Sequence, residues 1–160
     1  MQDGFGGTSK SNKSWCLLDL AVSEFFLANA SVSFLITMSM LKFIYCVRRR
    51  PDMSPEDFRK YWLENHGPLV RKYAKVLRAK KYIQSHTLDT PLNAAAQEPR
   101  KTKPAYDGLT ELWWDKAEDL IDALSTPEGQ EVNRLLAEDE ARFCDLPNCS
   151  VFFAEEHTIF

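Results

Sequence analysis

Three side chains carry the chemistry for proton transfer near neutral pH: His66, His86 and Glu111. An imidazole exchanges protons around pH 7, and a carboxylic acid joins it when its surroundings are apolar. His66 lies in the stretch Arg50–Tyr73, RPDMSPEDFRKYWLENHGPLVRKY. There a helical pattern meets Gly67-Pro68. Proline has no N–H and pushes the residue before it away from helical dihedrals. The sequence therefore predicts one helix ending near His66 and a second from Pro68 to about Ala79. A histidine at such a junction meets carbonyls from one helix end and N–H groups from the other, so the sign of its pKa shift stays open. It serves either as an acid–base group or as a cap for backbone groups freed by the break.

His86 sits in a run that alternates as a strand does, Lys81–Leu88. Tyr82, Gln84, His86 and Leu88 share one face. Polar groups at 84 and 86 fit a cavity wall, or an edge strand with a wet face. Glu111 shares a face with Leu109 and Trp113 in LTELWW. It reads as an acid or base, or as an ion-pair partner of Arg48, Lys42 or Lys81 across the sheet. Tyr45, Tyr61, Trp62, Tyr82, Gln84 and Trp113 are candidate ligand-contacting residues, although aromatic stripes more often form core. Arg48–Arg50 and Arg71–Lys72 flank the junction, where they suit a bound anion or a solvated basic face.

The elements that must position these groups follow from pattern and punctuation. Strands are predicted at Leu41–Arg49, Lys81–Leu88, Leu109–Trp114 and Val151–His157. Ser54, Pro55 and Asp57 open the first helix, with Phe58, Tyr61, Trp62, Leu69, Tyr73 and Leu77 as its buried stripe. Asp115 with Glu118 reads as a capping box for a helix over Lys116–Leu124. That helix breaks at Ser125-Thr126-Pro127, and Thr126 caps another running to about Phe143, with Val132, Leu135 and Leu136 inward. Asp89–Ala105, with three prolines and a basic run, reads as a solvated loop, a pocket lid or an insertion. The order β-α-β-β-α-β is the ferredoxin-like pattern: an α+β fold with a four-stranded antiparallel sheet and helices on one face. Aromatic residues on both faces of the strands call for a second cover, most simply the same sheet of a second copy in a homodimer.

Composition narrows the function classes. The chain has 160 residues, 27% charged and 44% hydrophobic, with a net charge of −3. That is one globular domain's length, with no bias toward nucleic acid or an anionic membrane. Residues 1–37 read as a poorly ordered extension and 38–160 as the folded domain. The uncharged stretch Phe25–Leu41 is diluted by Ser, Asn and Thr and lies at the lower limit for a span. A cytoplasmic location and reduced thiols at Cys16, Cys46, Cys144 and Cys149 follow, although Cys144 and Cys149 flank a turn and could bridge. No Cys/His spacing suits zinc, and no glycine-rich loop suits NAD, FAD or ATP, so neither metal nor cofactor is expected.

RRPDMSPEDFRKYWLENHGPLV, YIQSHTLDTPLN, YDGLTELWWD, STPEGQEV, LAEDEARFCD and VFFAEEHTI together resemble the EthD-domain family of the dimeric α+β barrel superfamily, over roughly Met40–Phe160. The segment Trp62–Val70 is the most specific part. The resemblance implies two ferredoxin-like protomers packed sheet to sheet, with a cavity between each sheet and its helices. It implies a cofactor-independent enzyme of acid–base chemistry (decarboxylation, dehydration, isomerisation or oxidation) on a small cyclic or aromatic compound. The family-level label is oxidoreductase. A non-catalytic ligand-binding or accessory protein of a catabolic or polyketide pathway is the alternative. Polyketide cyclases of the superfamily carry a histidine just after the proline of the second broken helix. Here that region is Thr126-Pro127-Glu128-Gly129-Gln130, which argues against that mechanism.

Overall fold

Leu41–Val47 (β1) forms a strand because its apolar residues alternate between two surfaces, and the sheet is built around it. The structure is a computed structural model that describes residues 40–160. The expectations for residues 1–37 lie outside the described residues. Three further strands are Lys81–His86 (β2), Gly108–Trp114 (β3) and Ser150–Ala154 (β4). β1 pairs antiparallel with β3 and β4, and β2 pairs antiparallel with β3. The spatial order is β2-β3-β1-β4, as the ferredoxin-like pattern requires.

Register assigns the two faces. Phe43, Tyr45 and Val47 stand opposite Leu112, Thr110 and Gly108, and Tyr82, Gln84 and His86 stand opposite the same three β3 residues. This surface meets the helices. Lys42, Ile44 and Cys46 share the other surface with Leu109, Glu111 and Trp113.

The first helical region differs from expectation in an informative way. Pro55–Tyr61 (α1) and Gly67–Tyr73 (α2) are joined by a π turn over Trp62–His66. The chain does not break: His66 has φ −66° and ψ −43°, Gly67 has φ −56° and ψ −49°, and the Gly67 N–H bonds the Trp62 carbonyl. A π turn places that bond one residue further back, so the missing donor of Pro68 and the bulk of its ring are accommodated in the widened turn. Glycine before proline has no Cβ to clash with the ring. The widened turn also resets the phase. The buried residues are Phe58, Trp62, His66 and Val70, spaced by four. A regular α-helix advances about 100° per residue, so such a stripe would drift around the axis by about 40° per step. The π turn cancels much of that drift. This is why Val70, rather than Leu69 or Tyr73, is buried.

The segment expected as a loop contains a helix, Pro91–Gln97 (α3), capped by Thr90 and followed by a 3₁₀ turn. The Thr-Pro pair is the start signal. Ala117–Leu124 (α4) begins without a side-chain cap, because Lys116 holds the cap position and has no acceptor to offer; Asp115, one residue earlier, pairs with Lys80 at 2.7 Å. Pro127–Glu140 (α5) starts as expected, with Thr126 Oγ1 accepting the Gly129 N–H at 3.0 Å. Val132 is buried, while Leu135 and Leu136 are half-buried. One core cluster joins Tyr45 and Val47 to Phe58, Trp62, Phe143 and Cys144, and a second joins Val70 to Leu112 and Trp114.

The α4–α5 corner is packed tightly enough to forbid a methyl group. A Cβ on Gly129 would overlap the backbone carbonyl of Ala123, which no side-chain rotation can relieve. Gly129→Ala should therefore destabilise the fold by about 1–3 kcal/mol, the cost typical of overpacking. Removal of the cap in Thr126→Ala should cost about 1 kcal/mol. Urea denaturation of both variants checks this, and a Gly129→Ala midpoint equal to the parent's would contradict it.

Candidate functional site

The π turn aims His66 into the layer between helices and sheet, where only 4% of the residue is exposed. Its Nδ1 lies 2.9 Å from Oδ2 of Asp139, and the Tyr61 hydroxyl donates to Oδ1 of the same carboxylate at 2.7 Å. Asp139 is itself buried. A carboxylate accepting at Nδ1 selects the tautomer with hydrogen on that atom, so Nε2 carries the free lone pair. Burial holds the His66 pKa below its ordinary value, and the hydrogen bond and charge of Asp139 oppose that shift without cancelling it. His66 is thus a neutral imidazole with an oriented basic nitrogen.

Asp139 was not singled out from sequence. One signal was available, since it interrupts the stripe Val132, Leu136, Asp139, Phe143 on an otherwise apolar helix face. Its neighbour Glu140 has a pKa pushed up to about 8, first by burial, then by the charges of Cys149 and Asp139. The phenols of Tyr45 and Tyr82 in the same layer are both raised, chiefly by burial. The layer therefore holds a neutral base and a protonated acid at the same pH. Environments that push the pKa values of two groups apart in this way suit them to acid and base work.

The sheet contributes a connected polar row. The Gln84 Nε2 donates to the Trp62 carbonyl and to the Tyr82 hydroxyl, both at 2.9 Å, and its Oε1 lies 3.0 Å from His86 Nε2. The Trp62 carbonyl is the one already bonded by Gly67, so the π turn and the strand share an acceptor. His86 stacks on Trp62, with ring centroids 4.5 Å apart and planes 8° from parallel. The Tyr82 ring stands edge-on to His66 at 6.5 Å. The structure thus brings His66, Tyr61, Trp62, Tyr82, Gln84 and His86 together, with Tyr45 buried in the same layer.

Glu111 and Trp113 are not among them. Glu111 stands opposite Ile83, not His86, and so faces the other side of the sheet. There it is ion-paired with Lys42, which also bonds Glu156 at 2.7 Å. Trp113 lies on the same side beneath Lys42 and Lys81, 4.7 and 4.5 Å from its ring centroid, and donates Nε1–H to Glu156 at 3.2 Å. The expected three-residue constellation of His66, His86 and Glu111 does not form, because the β2–β3 register puts Glu111 on the opposite parity.

Two clefts open at the ends of β1 to β3. One, of about 240 Å³, is bordered by His86, Ser85, Thr87, Tyr106 and Cys46. The other, of about 430 Å³, is bordered by Arg48, Arg49, Lys103 and Asp107. His66 lines neither. The arginines are already engaged. Arg48 bonds the carbonyls of Pro104 and Ala105, Arg49 pairs with Asp107, and Arg50 pairs with Asp52. Among the described residues no group of three or more metal-ligating side chains converges, and no helix is long and apolar enough to cross a membrane.

The fold recurs among known proteins. An ethyl tert-butyl ether D (EthD) family protein of Bacillus halodurans is 19% identical, with a TM-score of 0.51 over 74% of this chain and 99% of its own. A dimeric protein of unknown function and ferredoxin-like fold from Bacteroides fragilis is 13% identical, with a TM-score of 0.48 over 73% of this chain and 96% of its own. An EthD-like protein of Ralstonia eutropha is 14% identical, with a TM-score of 0.49 over 77% and 95%. Among curated proteins none matches the chain. The sequence model of the EthD domain matches residues 50–147, spanning the π turn, the polar row and the Asp139–Glu140 pair. The chain belongs to the EthD family.

Proposed function

We propose that the protein is an enzyme that moves protons on a small cyclic or aromatic compound held between helices and sheet. His66 is the base and Glu140 the acid. The observation that carries this reading is the buried contact between His66 Nδ1 and Asp139, at 2.9 Å, which leaves Nε2 as the basic atom. Asp139 and Tyr61 position the ring. Tyr45, Tyr82 and Trp62 supply flat apolar contact for an aromatic ring, and the Gln84–His86 row supplies polar contact at one side. Decarboxylation, dehydration, isomerisation and oxidation of activated ring systems all include such a proton step. The reading includes a homodimer in which the open sheet face, with Ile44, Leu109 and the exposed Phe152, meets its counterpart. It places the protein in the cytoplasm.

The near-complete enclosure of His66 favours a second reading, a carrier that sequesters its ligand without turning it over. One experiment separates the two. The protein is incubated with a panel of phenols, hydroxylated aromatic acids and cyclic ketones. Product formation is followed by chromatography, and binding by the indole resonances of the tryptophans. The enzyme reading expects turnover that falls about 10²-fold or more in His66→Ala and in Asp139→Asn, with binding retained. Binding without turnover in the parent supports the carrier. Turnover unchanged in His66→Ala reduces His66 to a structural role.

The acid has its own signature in stability. Glu140 carries a pKa of about 8 in the fold against an ordinary 4.5. Between those values the folded protein keeps a proton that the unfolded chain releases, so this group's stabilisation is full below 4.5 and is lost as pH rises toward 8. Glu140→Gln removes the loss. The stability of the variant relative to the parent should rise between pH 5 and pH 7, measured by urea unfolding. A constant difference would show that Glu140 does not hold its proton in the fold.

A further inference from the structure

Beyond the acid–base layer, a second chemical group lies where α5 leads into β4. A 3₁₀ turn at Leu146–Asn148 separates Cys144 from Cys149. The turn is pinned to a single residue of the end of β1. The Asp145 N–H donates to the Arg48 carbonyl at 2.8 Å, and the Arg48 N–H donates to Cys149 Sγ at 3.2 Å. One end of the turn therefore takes the carbonyl of Arg48 and the other its N–H, which holds the two cysteines side by side. They pack in one cluster with Tyr45 and Phe143, and both thiols are free. Cys144 is buried, whereas Cys149 keeps partial exposure.

We propose that Cys149 and Cys144 form a peroxide-responsive dithiol, with Cys149 the attacking sulfur and Cys144 the resolving one. A backbone N–H aimed at sulfur stabilises the thiolate. The Cys149 pKa is pulled down to about 7, first by the neighbouring Cys144 thiol and then by the Arg48 N–H and the Tyr45 hydroxyl, against burial, which pushes it up; in its protonated form the thiol donates to the Asp145 carbonyl at 3.3 Å. The contact between the two sulfurs, followed by burial, raises Cys144, so the pair is split into a thiolate and a thiol. Cys46 is the internal contrast, since burial pushes its thiol up.

The chemistry balances with hydrogen peroxide or an alkyl hydroperoxide as oxidant. The Cys149 thiolate attacks one peroxide oxygen, an S–O bond forms and the O–O bond breaks. The departing hydroxide or alkoxide takes a proton from the Glu140 carboxylic acid. The Cys144 sulfur then attacks the sulfenic sulfur of Cys149. An S–S bond forms, the S–O bond breaks, and the Cys144 proton leaves with the oxygen as water. The two sulfurs lose two electrons, and the peroxide gains them. The resulting ring closes beside the carboxyl end of α5, whose Glu140 carbonyl already accepts the Cys144 N–H at 2.8 Å.

The full-length protein tests this directly. It is exposed to hydrogen peroxide at pH 7, alkylated, cleaved on the amino side of Asp145 and weighed. Cleavage there separates the two cysteines unless a disulfide joins them. The expected product is the joined pair, formed about tenfold or more faster than Cys46 is oxidised, with a rate that rises as pH passes through about 7. Cys144→Ser should stall at a sulfenic acid on Cys149 that dimedone traps, and Cys149→Ser should give neither product. Oxidation of Cys149 no faster than of Cys46 in the parent protein, or fragments that separate after treatment, would overturn the proposal whether or not the variants fold.

Discussion

The buried contact between His66 and Asp139 is the interaction on which the rest of the structure depends. It ties the helix interrupted by the π turn to α5, elements 73 residues apart in sequence. A hydrogen bond to a charged group is worth about 1.5–3 kcal/mol, but loss of one buried partner costs more, because the other stays desolvated and unpaired. The carboxylate is therefore acceptable in the interior only while His66 and Tyr61 both face it. His66 faces it because the π turn keeps that residue in line with Phe58, Trp62 and Val70. The irregularity at Gly67-Pro68 is the geometric condition for a polar contact beneath an aromatic layer.

The two faces of the sheet take different chemistry from similar residues. On the helix side, Tyr45, Trp62 and Tyr82 surround groups pushed toward neutrality: an imidazole without its proton and a carboxyl that keeps one. On the open side, Trp113 lies under two lysines, and Glu111 and Glu156 are paired with Lys42. The first environment desolvates ionisable groups without giving every one an opposite charge, so their pKa values move toward the neutral form. The second pairs its charges. The proposed proton chemistry is placed in the first.

Much of the fold was legible because its signals are local. Strand alternation, the Ser54 and Thr126 caps and the order of elements lead to the observed sheet. The rest depended on partners distant in sequence. Pro68 read locally demands a break, and only the stacking of Trp62 on His86 and the bonding of Gln84 to the Trp62 carbonyl show what a continuous helix gains. Glu111 was placed beside His86 because their strands are neighbours, but the connection between β2 and β3 is long and leaves the register free by one residue. A shift of one reverses the face of every side chain. Asp139 gains its meaning only from His66, 73 residues away in sequence and 2.9 Å away in the fold. Thr90-Pro91 was a readable helix start that the neighbouring prolines and basic residues obscured.

The most direct test of the account is a pH titration of the His66 ring by ¹⁵N and ¹³C NMR in the parent protein. The account predicts a neutral ring with hydrogen on Nδ1 and protonation only below the ordinary imidazole pKa of 6.5. It predicts that the ring loses this fixed tautomer in Asp139→Asn. A ring that titrates at or above 6.5, or one that carries its hydrogen on Nε2, would contradict the claim that Asp139 holds His66 as an oriented base.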